Sequence, residues 1–524
     1  MKKLRSLLIL LACSPLLFGC SDGGETVPEG DGGSGPVECS FADPFDLAFC
    51  PSSYPEWDCV VYVDGDVAAS GDGFSWGSAV KTVQEGIDLA YCGVGNSAAC
   101  AQWQVWVKSG TYYVHQTCSW NMVRLRAGVA VYGGFVGSET AVHEREWEAN
   151  ETILDGRDGP DGVQHVYSVV FGSDAAVIDG FTIQQGRVAE EVQLPYGVGA
   201  GMLNLSASPT VENCTFRDNY SASNGGGMAN VDGSSPTVIG CSFENNEAGQ
   251  DGGGMANDED SSPEVDRCTF ESNEAGLNGG GIVTAAGAAH VTNSVFRANR
   301  AEWDGGGLAH LGDVAGTIED CIFEANVAAH AGGGAALGET EASVVRSTFE
   351  RNEAYAGGGI VVWRSTATIS DATFQQNRAV QSDYDEWSQG GGIRVVADSS
   401  VVIENTMVVR NEAHRTGGGM NVDKNSEVTV SNCQFAGNAG GESGGGISVS
   451  SSTLTLVDTE ISDNEATTRV GGGLFLWEAT ADVERCRFER NQAVENGGGV
   501  LVSPATAAFT AVDSLFLDNQ AEVG

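Results

Sequence analysis

Cys268-Thr-Phe-Glu-Ser-Asn-Glu-Ala-Gly-Leu-Asn-Gly-Gly-Gly-Ile-Val-Thr-Ala285 is the motif-bearing part of one period of a repeat that runs from about residue 200 to the last residues of the chain. Its pattern is C-x-F-x-x-N-x-A, a short variable stretch, then three glycines and an apolar run. The F-x-x-N element returns at Phe216/Asn219, Phe243/Asn246, Phe296/Asn299, Phe323/Asn326, Phe349/Asn352, Phe374/Asn377, Phe435/Asn438, Phe488/Asn491 and Phe516/Asn519, with Val408/Asn411 and Ile461/Asn464 as variants. Glycine triplets begin at Gly225, Gly252, Gly279, Gly305, Gly332, Gly357, Gly390, Gly417, Gly444, Gly471 and Gly497, a spacing of 25 to 27 residues with one step of 33. A period in this range marks a solenoid, propeller or array.

The residues within one period choose among these. The run after each triplet alternates and is rich in β-branched residues, as in Gly359-Ile-Val-Val-Trp363, which reads as strand. A second strand surrounds the phenylalanine, as in Pro236 to Phe243. Helical periodicity is absent, and the unit is shorter than the roughly 40–45 residues of a four-stranded propeller blade. Two or three short strands joined by turns fit the period. Stacking such coils gives an all-β, single-stranded, right-handed parallel β-helix with rungs about 4.8 Å apart. The expected roles follow. Phe stacks on Phe inside. Asn bonds rung to rung at a turn and supplies its left-handed backbone. Glycine permits a tight corner. Cys214, Cys241, Cys268, Cys321, Cys433 and Cys486, each two before the apolar position, are expected as buried thiols because Ser or Ala replaces them in other rungs.

The chain has 524 residues, 71 acidic against 26 basic, and a formal net charge of -45. That acidity argues against a nucleic-acid partner, which needs a basic footprint, and against electrostatic docking on anionic lipid. No cofactor is expected; calcium, as a counter-ion to the acidic surface, is the one ion the composition leaves open. No CxxC pair suggests zinc.

Residues 1–19 read as a lipoprotein signal peptide: Lys2, Lys3 and Arg5, the apolar run Leu7 to Leu17, then Leu17-Phe18-Gly19-Cys20. Cys20 is the expected lipidation site, anchoring the chain to a bacterial cell envelope, at the outer membrane or cell surface. Residues 20–36 form a flexible linker with one aliphatic residue, Val27. Residues 37–196 hold the N-terminal cap, a cysteine-rich segment and the first coils, and residues 197–524 the repeat. Cys39, Cys50, Cys59, Cys92, Cys100 and Cys118 are disulfide candidates, with every connectivity open. After Glu522-Val-Gly524 no C-terminal cap is visible.

The F-x-x-N unit followed by G-G-[AIML] resembles the polymorphic outer membrane protein repeat of chlamydial surface proteins. That resemblance implies an exported β-helix involved in adhesion. The N-terminal part resembles pectin-lyase-like right-handed β-helix proteins of bacterial surfaces through Val61-Tyr-Val-Asp64, Gly71 to Trp76, Val105 to Tyr112, Tyr132-Gly-Gly-Phe135 and Thr152 to Gly156. It implies that Ala79–Ala90 is a short helix capping the solenoid. The helical spacing of Val80, Val83, Ile87 and Ala90 supports the helix independently.

Many β-helix proteins are polysaccharide lyases or hydrolases, so a carbohydrate-active enzyme is the alternative. The Asn-Thr-Asp, Gly-His-Gly and Arg-Ile-Lys motifs of polygalacturonase-like enzymes do not occur. The triplets lack the Lys-Ser/Thr tail of a phosphate loop. The balance leans away from catalysis and toward a non-enzymatic, surface-anchored β-helix for adhesion or display. The expected partner, besides the membrane reached through the lipid, is a glycan or a host or neighbour-cell surface protein. Alternate residues after each triplet should point outward. Trp363, Arg394, Asp423 and Trp477 lie at such positions and are the candidate ligand-binding residues, on a face expected to be open. The 33-residue step adds Val380 to Ser388, with Tyr384 and Trp387, beside them.

Overall fold

The computed structural model describes residues 50–51, 59–94, 100, 102–189, 197–312, 315–381, 388–504 and 506–522. Residues 1–49 are outside this set, so the signal peptide, Cys20, the linker and Cys39 lie outside the described residues.

Each rung of the repeat has four strands rather than two or three. In one rung these are Met255–Asn257, Glu264–Asp266, Thr269–Glu271 and the two-residue Glu274–Ala275. Equivalent strands pair in parallel, and among the described residues they form four sheets of 16, 15, 14 and 13 strands. The sheets run through residue 197 without a break, since Val177–Asp179 pairs with both Ala130–Tyr132 and Thr210–Glu212.

The third strand shows why the motif is so regular. Phe216, Phe243, Phe270, Phe296, Phe323, Phe349 and Phe374 stack with ring centroids 4.6–4.9 Å apart and planes within 7° of parallel. All are fully buried. Asn at the next corner forms a ladder. Asn299 Nδ2 donates to Asn326 Oδ1 at 3.0 Å and to Phe270 O at 2.8 Å, while Asn299 N also donates to Asn326 Oδ1 at 3.0 Å. The amide therefore satisfies backbone that a sharp corner would strand in the interior.

The left-handed residue is not the asparagine. It is the one before it, Ser272 (φ 56°), Ala298 (φ 53°), Ala325 (φ 55°) and Arg351 (φ 55°) among others. A second left-handed residue precedes the cysteine position, as at Arg267 (φ 52°) and Arg346 (φ 47°). Non-glycine residues in this region cost about 1–2 kcal/mol each. The backbone hydrogen bonds between rungs and the asparagine ladder hold them there.

The three glycines have separate reasons. Gly279 has φ +65°. A Cβ on Gly280 would sit 2.5 Å from the carbonyl oxygens of Arg300 and Gly306, and one on Gly281 would sit 2.9 Å from the Phe296 ring. The six repeat cysteines are free and buried. Burial pushes the Cys321 thiol up to about 12 and Cys433 to about 11, which makes them unreactive fillers.

The N-terminal cap is helix α1, Val83–Gly93. Thr82 Oγ1 accepts from Glu85 N, and Glu85 Oε2 accepts from Thr82 N, a capping box. Val83, Ile87, Leu89 and Ala90 are buried with Val61, Val63 and Val105 of the first strands. Cys50–Cys92 and Cys59–Cys100 are disulfides, with Cα separations of 5.4 and 5.9 Å. Cys118, a disulfide candidate by sequence, is half-buried and closes no disulfide with another described residue; Cys39 lies outside the described residues.

Candidate functional site

The strand after each glycine triplet carries the predicted site residues. Its first residue points into the core, as with Met228, Met255 and Ile282, and its second points away. That second position should be open by alternation. It is closed. Ala229, Ala256, Val283, Ala309, Ala336 and Val361 are all 3% exposed or less. The residue before the triplet runs back alongside them and forms its own column from Asp304 and Ala331 to Asn496. Ala331 and Ala356 pack there against Ala336 and Val361, outside the main core. The first glycine completes the cover, since a Cβ on Gly225 would lie 2.9 Å from that of Ala229.

This cover corrects part of the expected open face. Arg394 occupies the covered column between Val361 and Asn421 and is 3% exposed; Asp423, on the next rung, is 9% exposed. Arg394 Nη2 pairs with Asp423 Oδ2 at 3.3 Å. Burial lowers the Arg394 pKa, and the Asp423 charge works against that shift. Asp423 Oδ1, Asn421 Oδ1 and Gln389 Oε1 are buried with no hydrogen-bond partner among the described residues. Trp363 is half-buried, and its ring lies over the neighbouring rung, where a Cβ on Gly338 would meet it. Trp477 alone of the four stands open, at 46% exposure. The ends of the inserted segment are pinched by Ser388 Oγ, which donates to Val380 O at 2.8 Å. Residues 382–387, including Tyr384 and Trp387, lie outside the described residues.

Sequence reasoning missed a second set of outward groups. Two residues before the first glycine come Leu277, Trp303, His330 and Tyr355 in four consecutive rungs. Trp303 N donates to Leu277 O, and His330 N to Trp303 O, so the column follows the rung rise of about 4.8 Å. The Trp303 and His330 rings stack at 4.6 Å and 19°. His330 Nδ1 meets Asp304 Oδ1 at 2.6 Å, which fixes the imidazole. Trp303 is 52% exposed and Leu277 43%. The signal was available by counting back from each triplet, but the positions fall in the stretch that varies most.

The sequence pattern of the right-handed β-helix region matches residues 164–349 and 358–523. The chain belongs to the right-handed β-helix family. Solved structures with a similar β-helix include tailspike protein 3 of bacteriophage CBA120, at 10% identity and a TM-score of 0.40, covering 78% of this chain and 56% of that one. The A-module of the Azotobacter vinelandii mannuronan C-5 epimerase AlgE6 matches at 14% identity and a TM-score of 0.28, covering 86% and 99%. PfbA, a surface adhesin of Streptococcus pneumoniae, matches at 11% identity and a TM-score of 0.28, covering 87% and 93%. No curated protein matches the chain.

What this β-helix can do chemically at the outer columns is stack and hydrogen-bond. An indole braced by an imidazole offers a flat apolar surface with a fixed polar neighbour, suited to a sugar face or an apolar side chain. Among the described residues, no group of three or more His, Cys, Asp or Glu is placed to hold a metal ion. No helix among them is long and apolar enough to cross a membrane.

Proposed function

We propose that this β-helix is a non-enzymatic, surface-displayed adhesion protein. Lipid at Cys20 anchors it in the bacterial envelope, the linker lifts it off the membrane, and the solenoid presents binding groups to a glycan or a neighbouring cell-surface protein. The observation that carries the reading is the Trp303–His330 stack, with Trp303 and the neighbouring Leu277 open to solvent, on a parallel scaffold. Trp477 adds a second exposed indole on another outward column. The ordered n-region, apolar run and Leu17 to Cys20 support the anchor. The resemblance of the repeat to that of the polymorphic outer membrane proteins supports adhesion.

Two measurements test the reading. Palmitate labelling should mark the wild type and not Cys20→Ser; equal labelling of both removes the anchor. A glycan and cell-attachment screen should find a ligand whose binding falls when Trp303→Ala and Trp477→Ala are combined in a folded protein. Unchanged attachment would exclude these columns. Turnover of a polysaccharide in a parallel reducing-sugar and unsaturated-uronate assay would move the protein into the enzymes.

A further inference from the structure

A cleft with a built wall lies toward the N-terminal end of the solenoid, where the first coils meet the repeat. The segment after Phe135 leaves the sheet, makes a short 3-10 turn at Val142–Glu144 and returns as the strand Thr152–Asp155. On the way it lies flat on the outer surface. A Cβ on Gly134 would meet Trp147 Cα at 2.6 Å, and one on Gly180 would meet Trp147 Cβ at 2.9 Å. Glycine at both sites is what lets Trp147 come this close.

Arg145 fixes the segment from beneath. Its side chain is 6% exposed, and Nη1 donates to Gly133 O and Asp179 O, each at 3.0 Å. Nη2 pairs with the Asp179 carboxylate, whose other oxygen accepts from Asn213 Nδ2 at 2.9 Å. The guanidinium also lies 5.1 Å from the Tyr132 ring centroid and 4.9 Å from that of Trp147. Trp147 is thus held by a buried cation yet remains 36% exposed. An indole immobilised before any ligand arrives loses little freedom on binding.

Beside it opens a cleft of about 460 Å³, lined by Glu148, Glu151, Thr182, Thr215 and Ser242 with Trp147. The volume falls in the range of about 300–1,000 Å³ common to small-ligand sites. Glu151 is already oriented, since Oε1 accepts from Thr182 Oγ1 at 2.8 Å and lies 3.2 Å from Arg217 Nη2. An aromatic face beside carboxylate and hydroxyl groups matches a pyranose ring, which offers an apolar C–H face and a rim of hydroxyl donors. The Arg217 charge is spent on Glu151 and that of Arg145 on Asp179, which leaves Glu148 and the net charge of -45 to repel anions.

We propose that this cleft is a binding site for neutral oligosaccharides of hexose or N-acetylhexosamine units, with Trp147 as the stacking platform and uronate polymers excluded by charge. The site is separate from the outer columns near Trp303 and Trp477 and does not depend on their role.

The test is calorimetric titration of the purified full chain with cellotetraose, mannotetraose, galactotetraose and chitotetraose, and with tetragalacturonate. At least one neutral tetrasaccharide should bind with Kd below about 1 mM, and tetragalacturonate should not. Trp147→Ala should weaken that binding at least about tenfold, and Trp147→Phe should retain most of it. Thr215→Arg, which fills the cleft from an outward strand position without touching the Arg145 brace, should abolish it, so the proposal stays open to refutation if Trp147→Ala does not fold. Failure of all four neutral probes, preference for tetragalacturonate, or wild-type affinity in Thr215→Arg would each overturn it.

Discussion

The asparagine corner and the covered column beyond the glycine corner share one repeat and obey opposite rules. At the corner, asparagine stands in twelve consecutive rungs from Asn219 to Asn519, and its amides bond the next rung at 2.9–3.0 Å throughout. In the covered column the residues run Ala229, Ala256, Val283, Ala309, Ala336, Val361, Arg394, Asn421, Ser448, Phe475 and Leu501. Both are buried through most of their length. The difference is reciprocity. An asparagine amide accepts from one neighbour and donates to the other, so each rung needs the same group in the same place. A packed strip needs only volume, and it tolerates even a charge where a partner is within reach. Strict recurrence therefore marks hydrogen-bonded contacts, and drift marks positions the scaffold leaves free.

Breaking the invariant side should have the largest effect. Phe323→Ala should destabilise its rung by about 3–5 kcal/mol, the range for a buried aromatic, and Asn326→Leu by about 3 kcal/mol, because Asn299 N, Asn299 Nδ2 and Phe296 O lose their partner. Hydrogen exchange should show the loss concentrated in that rung and its neighbours, since a solenoid couples only adjacent units. A loss below about 1 kcal/mol would remove either residue from the ladder account.

The variable side predicts smaller and compensable effects. Arg394→Met should cost about 2 kcal/mol by leaving Asp423 buried without its counter-charge, whereas Arg394→Met with Asp423→Leu should return to within about 1 kcal/mol of wild type. If the double variant is no better than the single, the pair is not what holds that column.

Asp258 sharpens the comparison by pH. Burial raises its pKa to about 6, against the ordinary 3.8, although Asn224 Nδ2 bonds it at 2.9 Å and lowers it in part. A raised carboxylate pKa stabilises the fold fully below the unfolded value, and this contribution is lost as pH rises through about 6. Asp258→Asn should therefore be more stable than wild type by about 1–2 kcal/mol at pH 7, with the gain vanishing below about pH 4. A gain that persists at pH 3.5 would point to a cause other than ionisation. The smallest effect belongs to Trp477→Ala, which should change stability by less than about 0.5 kcal/mol because the side chain is open to solvent.

The fold was legible because the repeat advertises its own geometry. Phe, Asn and the glycine triplet recur at fixed offsets, and helix α1 announced itself by spacing. The fourth strand, Glu274–Ala275 and its equivalents, was not, since two residues carry no alternation to read. The site was less legible for a related reason. Alternation gives the direction of a side chain but not what lies over it, so Arg394 and Asp423 read as open while Ala331, Ala356 and their column cover that strip. Trp303 and His330 were passed over because they sit in the variable stretch, where offset from the triplet is the only marker. The Trp147 cleft depends on a non-repeating segment folding back over Gly134 and Gly180, a contact with no periodic trace.

The inserted step between Gly357 and Gly390 leaves the asparagine bond unchanged, with Asn377 Nδ2 still 3.0 Å from Asn411 Oδ1. Extra residues leave at a corner, and the seam closes as if they were not there. The same logic holds for whole rungs. Most rungs present their neighbours with the same phenylalanine, amide and glycine edges, so a complete period among them can be excised or duplicated and the new junction repeats one that already exists. Length in this molecule is then an adjustable quantity, set in increments of about 4.8 Å, and it can be tuned by copying a unit rather than by redesigning a fold.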